Sequence, residues 1–316
     1  MSCRVRGPFC PAGAIALLER VSVMELHVPS YAKINLGLWI KGRRDDGFHE
    51  IETLLLQVSL KDDIVISDSE SDEIELLCSD PTLPGGDDNL CVRAARLLQR
   101  EAQVGRGAVI RLQKKIPAGA GLGGGSSNAA VVLLALNRLW GLDYGAERLQ
   151  ELAAELGSDV PFFIRGGAAL ARGRGEILEQ VEWRLDLPIL LVCPGISVST
   201  AWAYGQFTLD LTMTKKNVTL PHFKGINFND VDFLGGIENE FEQVVFPKFP
   251  ILAEIKENLR AQAALYAGLS GSGSAVFGIF RREQEVLEAK RGVSSQFRTF
   301  VVRPMRWGIE QMSMDS

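Results

Sequence analysis

The chain has 316 residues, 46% hydrophobic and 23% charged, with a formal net charge of −5. This is an ordinary globular composition, long enough for one large or two medium domains; it offers no basic block for nucleic acid and no run of about 18 apolar residues for a membrane helix. The five cysteines (Cys3, Cys10, Cys78, Cys91, Cys193) are odd in number and lack a C-x-x-C pair, and only three histidines are present. A disulfide scaffold and a zinc site are therefore excluded, and a reducing, cytoplasmic setting is expected.

In chain order, Ala12 to Leu18 is too short and too broken by glycine for a signal-peptide core, and Glu19 follows it. Met24 is the expected natural start, with residues 1–23 a dispensable extension. Ala32 to Ile40 alternates as a strand, Lys41 to Gly47 reads as a charged turn, and Ile51 to Leu60 as a second strand. Asp63 to Ser67 and Glu73 to Cys78 read as two more strands around an acidic hairpin. Asn89 is placed to cap a helix over Leu90 to Ala102, with Leu90, Ala94, Leu97 and Leu98 on one face. Ala108 to Lys114 is a strand that runs into residues 115–130, KIPAGAGLGGGSSNAA.

That glycine density frees backbone N–H groups to turn inward and lets a bulky anion approach. Ser126 or Ser127 is expected to cap the following helix, whose positive end then faces the same place. The loop thus reads as a phosphate site. It is not a Walker A loop, because Ser-Ser-Asn follows Gly125 where Lys-Ser/Thr is required. Gly119, Gly121 and Gly124 formally satisfy G-x-G-x-x-G, but Pro117 interrupts the strand side, and Asp143 and Glu147 lie in a turn and on a polar helix face, where neither suits a ribose ligand. A plain glycine-rich linker is disfavoured by the apolar helix Asn128 to Trp140, closed by Gly141.

A further helix, Ala146 to Leu156, turns Leu149, Leu152, Ala153 and Leu156 inward. Ala168 to Leu170 and Leu187 to Cys193 follow as strands. Glu238 to Val245 and Ile251 to Ala264 read as helices separated by Pro247 and Pro250. Tyr266 to Leu269 and Ala275 to Phe280 read as strands around Ser270-Gly271-Ser272-Gly273-Ser274. A helix near Glu283 to Lys290 and a strand near Phe297 to Val302 complete the chain. Lys215 to Asp232 is polar and expected to be irregular and mobile. The mixture of hairpins and segregated helices argues an α+β fold.

The run Pro117, Gly121, Leu122, Gly123, Ser126, Ser127 resembles the second motif of the GHMP small-molecule kinases, Pro-x-x-x-Gly-Leu-Gly-x-Ser-Ser-Ala, with one extra glycine and with Asn128 before Ala129. Pro29 to Leu36 is similar to the first motif, P-x-x-A-K-x-N-L, and Ser270 to Ser274 to the third, with Leu269 in place of a methionine. Leu156 to Phe163 resembles the G-S/A-D-V-P run of one branch, and Asp45 to Ile51 its D-G-Y/F-H-x-I/L stretch. These five motifs stand in family order, and the resemblance covers most of Glu25 to Phe280.

The resemblance implies a two-domain GHMP kinase fold, with an N-terminal ATP-binding kinase domain (24–186), a ferredoxin-like C-terminal domain (187–316) and a site in the cleft between them. It implies ATP as phosphate donor, held by Pro117, Ala118, Gly119, Ala120, Gly121, Leu122, Gly123, Gly124, Gly125, Ser126 and Ser127 and bordered by Gly271 and Ser272. Lys33 and Asp159 are the implied catalytic pair, with Asp159 as base. Asn35, Phe48, His49 and Tyr204 are the implied acceptor ligands, Phe48 and Tyr204 closing a sandwich on a cytosine that His49 hydrogen-bonds. The acceptor would be a small molecule, a cytidyl-erythritol diphosphate phosphorylated on its 2-hydroxyl. Mg2+ is expected with ATP without a dedicated acidic cage, Ser127 being one contact. No nucleic-acid or membrane partner is expected, and the chain would act as a monomer or weak homodimer.

Plainer readings of the same residues stay open: an exposed strand lysine for Lys33, a helix N-cap for Asp159, a tight hairpin for Ser270 to Ser274, a strand-edge histidine for His49. At the level of function, a homoserine or mevalonate kinase and a non-catalytic sensor on the same fold are the alternatives.

Overall fold

The computed structural model describes residues 24–207 and 230–305. The expected extension and most of the Lys215–Asp232 segment lie outside the described residues.

Two long antiparallel strands form the backbone of the N-terminal half. Strand β1 (Glu25–Arg43) pairs along its whole length with β2 (His49–Ser69), in a register from Glu25 opposite Ser67 to Arg43 opposite His49. The residues read as a charged turn therefore continue β1 to Arg43, and only the residues from Asp45 to Phe48 turn. The segment Asp63–Ser67, expected as a separate strand, is the far end of β2. The acidic hairpin does not exist: β3 (Ile74–Cys78) pairs in parallel with β4 (Gly107–Gln113), and β4 lies between it and β2. Strands β5 (Ala168–Gly173) and β6 (Ile177–Gln180), the latter unforeseen, complete the six-stranded sheet.

Four helices cover this sheet: α1 (Leu90–Ala102), α2 (Gly124–Leu139), α3 (Ala146–Leu156) and α4 (Val160–Arg165). The Asn89 carboxamide caps α1 by accepting from the Cys91 amide at 2.9 Å. Helix α2 is apolar nearly all round and every residue from Ser127 to Leu136 is buried, as expected of a helix packed on several sides. Gly141 follows its end at φ +64°, where a left-handed residue releases the chain.

The C-terminal half runs β7 (Ile189–Cys193), α5 (Thr200–Gly205), a 3₁₀ turn (Val231–Gly236), α6 (Glu242–Lys248), α7 (Pro250–Ala261), β8 (Tyr266–Leu269), β9 (Val276–Ile279), α8 (Glu283–Gly292) and β10 (Arg298–Val302). Pro247 lies inside α6 and does not separate it from α7; the break falls at Phe249. The four strands form an antiparallel sheet in the order β10-β7-β9-β8, the ferredoxin-like arrangement. The two-domain α+β fold is thus present.

One apolar cluster joins the halves, with Ile34, Leu36 and Leu56 of the first sheet packed with Ile189, Leu191 and Phe277 of the second. Backbone bonds reinforce it, including Leu38 N to Glu238 O at 2.9 Å and Met305 N to Gln57 O at 2.8 Å. This packing brings β1, the glycine loop and the β8–β9 loop to one place. No helix among the described residues is long and apolar enough to cross a membrane.

Candidate active site

Lys33 and Asn35 share one face of β1 because strand side chains alternate. That face is buried, so Lys33 is a nearly enclosed cation and the exposed-lysine reading fails. An enclosed ammonium needs partners, and it has two. Its Nζ donates to Asn35 Oδ1 at 2.6 Å and lies 3.2 Å from an Asp159 carboxylate oxygen. Asn35 is itself held by donating to Thr53 Oγ1 at 2.9 Å, while Thr53 donates to Gly37 O at 2.6 Å.

Asp159 precedes α4 in the N-cap position, yet its side chain makes no capping bond. The carboxylate turns to Lys33 instead, and 37% of its side-chain surface stays open, against 5% for Lys33. The exposed part faces a cleft of about 730 Å³ that is also lined by Asn35, Phe48, His49 and Tyr204.

The glycine loop separates this cleft from a recess of about 330 Å³ whose wall is Pro117 to Ser126. Gly121, Gly123 and Ser126 border both spaces. Two of these glycines are required by close approach. A Cβ on Gly121, at φ +75°, would run into the Ser270 carbonyl, and one on Gly123, at φ +67°, would lie 2.8 Å from Phe163 and 2.9 Å from the Lys33 stem. The main chain is stitched across the same region by Lys33 N to Leu122 O and Ala275 N to Ala120 O, both 3.0 Å.

Helix α2 begins earlier than expected. Gly123 is its N-cap and no side chain caps it. Ser126 and Ser127 therefore stand in the first turn, whose free amides and positive dipole end face the loop. Ser127 is fully buried, and its hydroxyl accepts from Ser30 at 2.8 Å. Gly271 and Ser272 line the larger cleft, where Ser272 Oγ lies 2.9 Å from Thr200 Oγ1.

The root of the loop rests on a buried polar network invisible in the motifs. Asp62 is wholly buried in β2; its carboxylate pairs with Lys114 and accepts from the Lys115 and Ile116 amides at 2.6 and 2.9 Å. Asn128 bridges to it, donating to Asp62 at 2.9 Å and to Ser30 at 2.8 Å. The available signal was the place of Asp62 in the buried alternation Val58, Leu60, Ile64, Ile66 of β2.

At the far end of the cleft, His49 and Tyr204 stack with centroids 5.0 Å apart and planes 17° apart. One Tyr204 face is therefore occupied by His49. Phe48 is 52% exposed, with the Arg174 guanidinium 4.8 Å from its ring centre. Burial, then the nearby Arg43 charge, lowers the His49 pKa, so the ring is neutral near pH 7 and offers both a donor and an acceptor. The Tyr204 hydroxyl is pushed up by burial and, secondarily, by the Asp159 charge. Arg43 and Arg174, which the motif reading missed, add positive charge to the lining.

Comparison with known proteins places these features. Residues 89–167 match the model of the GHMP kinases N terminal domain, and residues 225–299 that of the GHMP kinases C terminal domain. The chain is 46% identical over 256 residues to a 4-diphosphocytidyl-2-C-methyl-D-erythritol kinase of Chlorobium phaeobacteroides strain DSM 266, covering 81% of this chain and 86% of that protein. It is 40% identical to a protein of the same name from Chlorobium chlorochromatii, over 87% of this chain and 95% of that one. A crystal structure of 4-(cytidine 5'-diphospho)-2C-methyl-D-erythritol kinase is similar at 35% identity and TM-score 0.74, covering 88% of this chain and 99% of the other. A homoserine kinase from Cytophaga hutchinsonii shares the fold at 18% identity and TM-score 0.69, with coverage of 90% and 95%.

Proposed function

The chain belongs to the GHMP kinase family, and from that premise we propose that it transfers the γ-phosphate of ATP to the 2-hydroxyl of 4-diphosphocytidyl-2-C-methyl-D-erythritol, in non-mevalonate isoprenoid precursor synthesis. The observation that carries this reading is the Lys33–Asp159 pair, 3.2 Å apart, at the floor of a cleft that shares the glycine loop with a second recess. A phosphoryl donor in the recess and an alcohol in the cleft would meet at Gly121 and Gly123.

Phosphoryl transfer asks a protein mainly for position and charge neutralisation. The amides of the α2 first turn and of the glycine loop suit the triphosphate, since they are fixed donors at a helix N-terminus. The acceptor oxygen attacks the γ-phosphorus, the bond to the β,γ-bridging oxygen breaks, and ADP leaves. Asp159 is the group placed to take the hydroxyl proton, with Lys33 orienting the carboxylate and balancing charge as the bond forms. Lys33 is held by Asn35 and by the packing of Gly123 against the lysine stem, and it in turn orients Asp159.

The aromatic end of the cleft supports a nucleobase. Phe48 presents a large open ring, suited to stacking because every base has a π face, and neutral His49 suits its polar edge. The cytosine would lie on Phe48, with Tyr204 stacked behind His49. Arg43 and Arg174 supply charge for the diphosphate that joins base to polyol. This feature separates the reading from a homoserine or mevalonate kinase, whose acceptors carry neither base nor diphosphate.

Mg2+ accompanies ATP in this reading. Among the described residues no group of three or more His, Cys, Asp or Glu side chains could cage an ion, so the protein's donors do not by themselves make a metal site, and the ion would rely on phosphate oxygens and water. The enzyme would act in the cytoplasm as a monomer or weak homodimer. A coupled ADP-release assay tests the activity: ADP formed only when the cytidyl-erythritol compound is added supports the reading, and release that ignores the acceptor contradicts it.

A further inference from the structure

The tetrapeptide Asn239-Glu240-Phe241-Glu242 carries no family motif in the sequence reading, yet all four side chains reach elements of the cleft. Asn239 is 4% exposed. Its Nδ2 donates to Leu269 O at 2.7 Å and to Gly271 O at 2.8 Å, while its Oδ1 accepts from the Phe241 amide at 3.0 Å. Glu240 accepts from the Ile40 amide at 2.6 Å. Phe241 sets its ring against Tyr204, centroids 4.8 Å apart. Glu242 accepts from the Leu269 amide at 2.9 Å and pairs with Lys256 at 2.5 Å. The main chain is anchored to β1 by a bridge between Asn239 and Leu38 and by Glu240 N to Leu38 O at 2.9 Å.

The consequence concerns the β8–β9 loop. Gly271 sits at φ +57°, and a Cβ there would lie 3.1 Å from Asn35 Oδ1 and 3.8 Å from Lys33 Nζ. The loop backbone therefore rests directly on the Lys33–Asn35 pair. Ser270 ties its base down, donating to Gly121 O at 2.9 Å and accepting from the Asn35 amide at 3.2 Å. The carbonyl of Gly271 is gripped by Asn239, from a strand-like segment pinned to β1. Only a carboxamide can do this: two N–H groups meet two carbonyls while the oxygen meets an amide. An aspartate would set lone pairs against both carbonyls, and an alanine would strip all three groups of their partner.

We propose that Asn239 is a positioning residue for phosphoryl transfer: it fixes the Gly271–Ser272 turn against Lys33 and Asn35, so that the turn's amides are aimed at the phosphoryl group in flight. This rests on the kinase reading above. The turn rests on the reacting pair, so the larger loss falls on turnover; the base end is reached only through the Phe241 amide and Tyr204.

The test compares full-length wild type with Asn239→Asp and Asn239→Ala, using ATP and the cytidyl-erythritol compound. Melting curves first establish that each variant is folded at the assay temperature. The expected result is a kcat lower by about 10- to 100-fold with a smaller change in acceptor KM, and faster amide hydrogen exchange across residues 270–274. In Asn239→Asp the ratio of its kcat to wild type should rise toward acid pH, because a protonated carboxyl can donate to one carbonyl; the charged groups around it are Glu240 and Glu242 on its own segment, Lys256 of α7 beside Glu242, and Lys33 of β1 beyond Gly271. Unchanged turnover in folded variants overturns the proposal. So does a loss carried by acceptor KM alone, or exchange at 270–274 equal to wild type. If wild type itself forms no ADP with this acceptor, the kinase reading is what fails, and the exchange arm still decides whether Asn239 holds the turn.

Discussion

The ammonium of Lys33 lies 3.2 Å from the carboxylate of Asp159, the first from the middle of β1, the second from the mouth of a short helix. The lysine is enclosed and the aspartate is open to the cleft, so the pair presents a carboxylate to any alcohol that enters. Asp159→Asn should lower kcat by about 10²–10⁴ while leaving ATP affinity nearly unchanged. Single-turnover phosphate transfer measures this. Near-normal turnover in a folded variant would remove Asp159 from the proton's path.

The glycine loop should show a graded response to an added methyl group. Gly119, at φ +65°, has open space around its Cβ direction, whereas Gly121 and Gly123 do not. Gly119→Ala should cost only the left-handed strain of about 1–2 kcal/mol. Gly121→Ala should cost more and should also damage nucleotide binding, because the Ser270 carbonyl must move. Thermal unfolding and nucleotide titration of the two alanine variants give the order; equal effects at 119 and 121 would contradict the close approach of the two loops.

The acceptor end should be separable from the donor end. Phe48→Ala and His49→Ala should raise the acceptor KM by about tenfold or more, on the scale of a lost stacking contact of about 1–3 kcal/mol, with the KM for ATP unchanged. The sign of the pH effect follows from the lowered His49 pKa. The neutral ring prevails above the ordinary histidine value near 6.5, so acceptor KM should be flat there and should worsen only as pH falls below that lowered pKa. An acceptor KM that improved on acidification would remove the neutral ring from base recognition.

The buried pair beneath the loop should behave as coupled charges do. Asp62→Ala leaves the Lys114 ammonium enclosed without its carboxylate and should cost about 3–5 kcal/mol, with Asp62→Leu combined with Lys114→Met costing less than either change alone. Denaturant unfolding of the cycle checks this, and additive losses would show that the two groups are independent.

Much of this was legible from residue order. Period-two alternation placed Lys33 and Asn35 on one face, Asn89 announced the start of α1, and the inward set of α3 was read residue by residue. What escaped depends on partners far along the chain. Gly124-Gly125-Ser126-Ser127 has loop propensity, but packing of the apolar run behind it pulls the helix back to Gly124 and buries Ser127 against Ser30. Lys61 and Asp62 fell between the two strands read from the sequence, and the Lys114 that neutralises Asp62 lies 52 residues further along the chain. The stacking of His49 on Tyr204, 155 positions further along the chain, likewise depends on the fold and not on local pattern. The grip of Asn239 on Gly271 joins residues with no shared sequence pattern.

The most direct measurement is transfer of labelled γ-phosphate from ATP to the cytidyl-erythritol compound, homoserine, mevalonate and galactose, offered together, with the products resolved. Label should appear on the cytidyl-erythritol compound alone, at its 2-hydroxyl, and its rate of appearance should fall by about 10²–10⁴ with Asp159→Asn. Label on another alcohol in preference to it, or on none, would contradict the assignment.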